Sequence, residues 1–456
     1  MRSTWSQVGR IIAEREFWIA VLEAQTDLGI PVPDGAIASY RSVVNLVDLD
    51  SIRQREETTR HDVKARIEEF CALAGHEHIH KGLTSRDLTE NVEQMLVRQS
   101  LALMHSKAVA GLVRLSALAI EHRDTAITGR SHNVAAQPTT LGKRFANAAQ
   151  ELMLAVSRLG DLIDRYPLRG LKGPVGTQQD LVDLFDGDAD KVDALEQRIA
   201  RDLGFEHTLE SVGQVYPRSL DLDVVGALSQ LAAGPSSLVT TLRLMAGHDL
   251  ITEGFREGQV GSSAMPHKMN MRTSERINGM AVILGGYVTM AGGLSGHQWN
   301  EGDVSDSVVR RVMLPDSFFA CDGLFEAFLT VLDEFGAFAG RIEAELEAEL
   351  PFLTTTKLLV AAVKSGMGRE AAHEIIKTHT MNAADARRQG TSHDAWDALA
   401  HDAEFPLDAE QIQAAVGEVT QLTGRAGTQI DNVAAKVAKL AERYPDAASY
   451  VPGSLL

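Results

Sequence analysis

The sequence predicts an all-α protein: three helical domains, the central one a bundle of five long helices. Three observations carry that prediction. Ala and Leu dominate a chain that is 44% hydrophobic but only 5% aromatic, a balance that favours helices over sheets. Apolar residues recur at helical spacing over runs of roughly 30 residues, longer than ordinary globular helices. The 456 residues are enough for a large core divided among two or three domains.

The elements follow in order. Over residues 8–29, Ile11, Ile12, Trp18, Ile19, Leu22 and Leu28 share a helical spacing, and Pro31 and Pro33 end the helix. Residues 48–74 hold two or three short helices that close near Gly75. Together these predict an N-terminal helical domain, residues 1–86. The bundle domain, 87–341, opens with a pattern from Asp87 to Arg123 along Val92, Met95, Leu96, Leu103, Ala110, Val113, Ala117 and Ile120. Four more long patterns follow: Thr139–Asp164, Leu220–Phe255, Arg272–His297 and Asp306–Arg341, with Pro235 and Pro315 as expected bends. Shorter helices, punctuated by Pro351, Gly366, Gly368 and Pro406, predict a C-terminal helical domain over 342–456. The bundle helices are apolar on more than one face, and Gly285, Gly286, Gly292 and Gly293 allow close approach. One subunit cannot bury that surface alone, so self-association through the bundle is expected.

The charge balance is 44 Lys and Arg against 62 Asp and Glu, a net charge of −18, which argues against nucleic-acid or anionic-membrane partners. Only Cys71 and Cys321 are present, so no disulfide framework is expected and a reducing cytoplasm fits. The first residues carry no signal-peptide apolar run, and no apolar stretch reads as membrane-spanning without polar interruption. A soluble cytoplasmic protein is expected.

Candidate chemistry sits in several short segments. Residues 261–276, GSSAMPHKMNMRTSER, place Ser262 and Ser263 behind Gly261, with Lys268 and Arg276 as cations, Asn270 between them and Glu275 beside the second. Gly254, Gly258 and Gly261 give the approach conformational freedom, so the segment 258–276 reads as a mobile loop acting on an anionic substrate. Arg60-His61-Asp62 is either a solvated helix face or an imidazole between an anion-binding Arg and an orienting carboxylate. His76, His78 and His80 alternate, but Glu77 would point away from them on an extended backbone and the surroundings read as a loop, so no metal is expected. His80 leads into Lys81-Gly82-Leu83-Thr84-Ser85-Arg86-Asp87, where Thr84, Ser85 and a helix start offer either a plain N-cap or a carboxylate site. His132 lies in a polar loop beside Ser131, Gln137 and Thr140; it is an exposed loop residue or a general acid or base. Gln214 could reach a ligand from a loop. Ser307 at a helix start with Arg311 four residues on is an N-cap or a phosphate site.

In order along the chain these segments read RHD (60–62), HKGLTSRD (80–87), GRSH…QPTTLGKR (129–144), VGTQ (175–178), GQVYPR (213–218), GSSAMPHKMN…SER (261–276) and QWNEGDVSDS…RR (298–311). Together they resemble the adenylosuccinate lyase family, a branch of the fumarase/aspartase superfamily, over nearly the whole chain. The resemblance implies β-elimination of fumarate from adenylosuccinate, giving AMP, and from SAICAR, giving AICAR, with no cofactor. It implies Ser262 as general base and His132 as the general acid at the leaving nitrogen. Glu275 would orient and charge His132, and Lys268 would support the Ser262 alkoxide. His61 would lie near the nucleotide, flanked by Arg60 and Asp62, and His80 near the succinyl group. Thr84, Ser85, Lys268 and Asn270 would hold carboxylates; Gln214, Arg276, Ser307 and Arg311 would contact ligand, the last two near its phosphate. It further implies a homotetramer whose active sites draw on three subunits. Four departures stand out: Gly302, Val134 and Met271 replace the usual Arg, Gln and Pro, and the family's N-terminal Arg-Tyr pair is not in the sequence. Weaker nucleotide binding is expected from the first and last. The alternatives are another fumarate-releasing lyase of the superfamily or a non-catalytic helical scaffold.

Overall fold

The computed structural model describes residues 1–255, 258, 260 and 262–453. Its main elements are α1 (Gln7–Asp27), α2 (Leu49–Thr59), α3 (Asp62–Ala74), α4 (Ser85–Glu121), β1 (Ala126–Ser131), β2 (Val134–Thr140), α5 (Leu141–Arg165) and α6 (Ser219–Ala246). There follow β3 (Ile251–Thr252), α7 (Arg272–Leu294), α8 (Ser307–Asp333), β4 (Gly336–Ala337) and α9 (Ala339–Leu353), with shorter helices between and after them. The chain is all-α with two small two-stranded sheets, β1–β2 and β3–β4.

Two compact units emerge. The first holds residues 1–108, 154–233 and 279–326; the second holds 109–153, 234–278 and 327–456. The five long helices contribute residues to both.

In the first unit, helix ends are set by local chemistry. Asp48 caps α2 by accepting the N–H groups of Asp50 and Ser51. His61 caps α3, its Nδ1 accepting the Lys64 N–H at 3.3 Å. Asp87, wholly buried, organises the start of α4. Its Oδ2 accepts the Thr84 N–H at 2.8 Å. Its Oδ1 accepts from Arg169 at 2.6 Å and from the Lys172 and Gly173 N–H groups at 2.9 and 3.0 Å.

In the second unit, β1 and β2 form an antiparallel hairpin whose turn is His132-Asn133. Both turn residues are left-handed, φ 52° and 62°, as a twist-matched two-residue hairpin requires. The polar loop expected around His132 is therefore a hairpin tip. Gly129 lies at a register shift in β1; a Cβ there would meet the Gln137 carbonyl oxygen at 2.3 Å. The pattern expected to run from Asp306 to Arg341 breaks at Asp333, because Gly336-Ala337 leaves the helix to pair with Ile251-Thr252. The third pattern likewise stops at Ala246. The C-terminal helices close over a separate core of Leu358, Ala362, Ile376, Leu399 and Ile412.

α7 buries a narrow stripe, Ser274, Ile277, Leu284 and Ala291. Val282, 75% exposed, and Ile283 face outward. Among the described residues no atom lies within 4 Å of where a Cβ would sit at Gly285, Gly286, Gly292 or Gly293. By length and composition, α4 and α7 are apolar enough to cross a membrane, which corrects the reading that no such stretch exists. The apolar stretch of α4 is mostly buried inside the protein, as in a soluble core helix, whereas that of α7 is mostly exposed.

Candidate active site

In the first unit, the starts of α3, α4 and α8 border a cavity of about 720 Å³. Arg60, His61 and Asp62 line it from the first, Ser85 and Arg86 from the second, Ser307 and Arg311 from the third. Helix starts carry unpaired N–H groups and a partial positive charge, which suits an anion. Six arginines line the space, Arg10, Arg60, Arg66, Arg86, Arg310 and Arg311, so this acidic protein gathers its cations locally.

Four of the six are already engaged. Arg66 pairs with Glu14 at 2.7 Å and Asp62 at 3.1 Å, and Arg10 with Glu93 at 3.3 Å. Arg86 pairs with Glu90 at 3.0 Å, and Arg310 with Glu93 at 2.8 Å and Asp221 at 2.7 Å. Among the described residues, Arg60 and Arg311 have no carboxylate within ion-pair distance. They are the cations left for a ligand. Burial raises Asp62, but the Arg66 guanidinium and the Val63 N–H together outweigh it and the carboxyl sits below its ordinary range. At Glu14 burial wins over Arg66 and raises the carboxyl. Because His61 Nδ1 accepts a backbone N–H, Nε2 is the nitrogen left to donate.

Beneath the cavity lies a buried ion network. Glu90 accepts two bonds from Arg218, at 2.8 and 3.1 Å, and the Tyr216 N–H at 3.2 Å. Arg218 also bonds Asp306, and the Tyr216 hydroxyl donates to Asp221 at 2.8 Å. Burial works against the Glu90 charge, but Arg218 and Arg310 prevail and pull its carboxyl down to about 2.

Thr84 and His80 do not line this cavity. The His80 Nδ1 accepts the Trp18 indole N–H at 3.0 Å, and burial pushes its pKa down to about 4. His80 is thus a neutral ring with its proton on Nε2. Gln214 sits on a loop whose N–H donates to the Glu301 carbonyl at 2.5 Å. Gly302, where the resemblance led to an expected Arg, adopts φ 138° and packs toward Gln214 and Val215, a conformation that suits glycine.

The second unit holds the other candidates. His132 is exposed at its hairpin tip. Ser262 is half-buried, and its Oγ accepts the N–H groups of Met265 at 3.1 Å and Ala264 at 3.4 Å. Gly261 of the loop motif lies outside the described residues, as do residues 256, 257 and 259. The Lys268 side chain is exposed and Asn270 half-buried. Glu275 and Arg276 lie exposed on the first turn of α7, Glu275 at 3.7 Å from Arg243.

A family model described as "Lyase" matches residues 12–286, and one described as "Adenylosuccinate lyase C-terminus" matches 351–433. The adenylosuccinate lyase of Saccharomyces cerevisiae is 33% identical, over 96% of this chain and 92% of the yeast chain. The chain belongs to the adenylosuccinate lyase family. Relatives of that name extend to Schistosoma mansoni, 32% identical over 92% of this chain and 89% of that one, and to Pyrococcus abyssi, 29% identical over 84% of both. Two solved structures share the fold. A fumarate lyase from Mesorhizobium has a TM-score of 0.81 at 21% identity, covering 95% of this chain and 97% of that one. A 3-carboxy-cis,cis-muconate lactonizing enzyme from Pseudomonas putida has 0.83 at 18% identity, covering 97% of both.

Beyond the residues singled out in the sequence, the cavity also uses Arg10, Arg66, Arg86 and Arg310. Arg86 stood inside the HKGLTSRD segment and Arg310 inside the pair that ends 298–311, so a signal for each existed. Tyr216 and Arg218, legible as part of GQVYPR, turn out to be buried beneath the cavity. Arg10 and Arg66 sit on ordinary helical patterns and gave no signal.

Proposed function

We propose that this chain cleaves adenylosuccinate to AMP and fumarate, and SAICAR to AICAR and fumarate, by β-elimination. Ser262, as alkoxide, takes the proton from the succinyl carbon next to a carboxylate. The C–H electron pair becomes the new C=C bond of fumarate, the C–N bond breaks, and His132 delivers a proton to the leaving nitrogen. The dianionic aci-carboxylate between the two steps needs cations and N–H donors around it; Lys268 and Asn270 supply them, with Thr84, Ser85 and the His80 Nε2–H. Glu275 orients and charges His132 across a subunit boundary. Arg60, His61 and Asp62 hold the nucleotide, Gln214 and Arg276 contact the ligand, and Ser307 and Arg311 take its phosphate.

One observation carries this reading: two backbone N–H groups converge on the Ser262 oxygen. Serine is a poor base because its alkoxide is costly, and such donors lower that cost. The two uncompensated arginines at the 720 Å³ cavity add the charge that a phosphate dianion requires.

The same reading makes the protein a homotetramer in the cytoplasm. The outward apolar and glycine face of α7 supports the first, and two unpaired, buried cysteines fit the second. An ultraviolet assay with adenylosuccinate, argininosuccinate and malate tests the activity. Turnover of adenylosuccinate alone is expected. Turnover of only argininosuccinate or malate, or of none, overturns it.

A further inference from the structure

We infer that Glu253, outside every segment singled out for its chemistry, is the positioning residue that holds the Ser262 loop in register with α7. The inference rests on the reading of Ser262 as the base.

α7 starts without a cap of its own. The residue before it is Met271, whose carbonyl accepts the Glu275 N–H at 3.0 Å and whose side chain offers only a weakly accepting thioether. The first-turn N–H groups must then find partners elsewhere or stay unpaired. Glu253 provides them from 20 residues upstream. Its Oε1 accepts the Thr273 N–H at 2.8 Å. Its Oε2 accepts the Ser274 N–H at 2.8 Å and the Ser274 hydroxyl at 2.7 Å. The carboxylate is buried, and it lies where the helix dipole favours a negative charge.

Glu253 is itself held. It directly follows β3, which pairs with β4, and the next residue's N–H bonds Thr252 Oγ1 at 3.2 Å. One side chain therefore ties the two ends of segment 254–272 together. Ser262 lies within that segment; Glu275 and Arg276 lie on the helix it is tied to. Fixing the ends removes most of the ways the segment could place the Ser262 oxygen. A displacement of about 1 Å at a reacting atom is enough to cost roughly a hundredfold in rate.

The test compares Glu253→Ala and the isosteric Glu253→Gln with the full-length wild type. Glu253→Ala is expected to lower kcat about a hundredfold with KM within about threefold. Glu253→Gln keeps one acceptor and should recover part of the loss. In a Ser262→Ala background, Glu253→Ala should cost nothing further. Hydrogen exchange provides a readout independent of activity: peptides spanning 262–271 should exchange at least about tenfold faster in Glu253→Ala, with α4 and α8 peptides unchanged. Unchanged exchange in the loop overturns the inference, as does a kcat within twofold of wild type or a change in KM alone. If the wild type cleaves no adenylosuccinate, the exchange result still decides the role of Glu253, and only the proposed activity fails.

Discussion

Replacing Glu90 with Gln probes the support under the candidate cavity. Glu90 is wholly buried and meets Arg218 at 2.8 and 3.1 Å and Arg86 at 3.0 Å, with Arg310 at 3.8 Å. Its carboxyl is pulled from 4.5 down to about 2. At 1.36 kcal/mol per tenfold change in proton affinity, that is about 3 kcal/mol in favour of the charged form. Removing one partner of a buried pair costs a similar amount, about 3–5 kcal/mol, because the arginines are left uncompensated. The folded-state value lies below the unfolded one, so the contribution is complete above about pH 4.5. It fades as pH falls toward 2, with about 2 kcal/mol left at pH 3.5. Glu90→Gln should therefore lower the urea midpoint strongly at pH 7, and the gap to wild type should narrow at pH 3.5. The start of α4 and the start of α8, which carry Ser85, Ser307 and Arg311, rest on this network, so KM for adenylosuccinate should rise as well. An unchanged midpoint at pH 7, or a gap that is no smaller at pH 3.5, would refute the reasoning.

Other outcomes follow from the same geometry. His132→Gln should lower kcat by about two orders of magnitude or more without altering the circular dichroism melt, since the ring stands exposed at a hairpin tip; near-normal turnover would remove it from the reaction. Gly129→Val should distort that hairpin, because its Cβ would meet the Gln137 oxygen at 2.3 Å, and should lower kcat while the helical content stays constant. Val282→Asp places a charge on the outward face of α7. Sedimentation velocity should then show a smaller species than wild type; identical sedimentation would exclude that face from the assembly.

Much of this was legible because helices announce themselves by period. The long patterns at 87–123 and 272–297 correspond closely to α4 and α7. What escaped the sequence depends on partners far along the chain. The hairpin at 126–140 turns on His132-Asn133 rather than a glycine pair, so the usual turn signal is missing. The fifth pattern seemed to reach Arg341 because nothing local reveals that Gly336 and Ala337 will pair with Thr252 and Ile251, 84 and 86 positions earlier. The motifs drew attention to Ser262, His61 and Arg311, and the last two line one cavity. They gave no sign of Glu253, whose partners lie 20 and 21 residues on, or of the division of labour between Arg310, largely buried in ion pairs, and its exposed neighbour Arg311.

Asp87 adds a dimension of time. Its Oδ1 partners lie 82 to 86 residues further along. At roughly 5–20 residues per second, the ribosome delivers them some 4–17 seconds after Asp87 itself. Throughout that interval the carboxylate that anchors the start of α4 has none of its distant donors. Thr84 and Ser85 can take their final places only once the segment around Arg169 has emerged. The start of α4 is therefore fixed only after residue 173 has been made, and the cavity it borders is completed later still, when Ser307 and Arg311 follow.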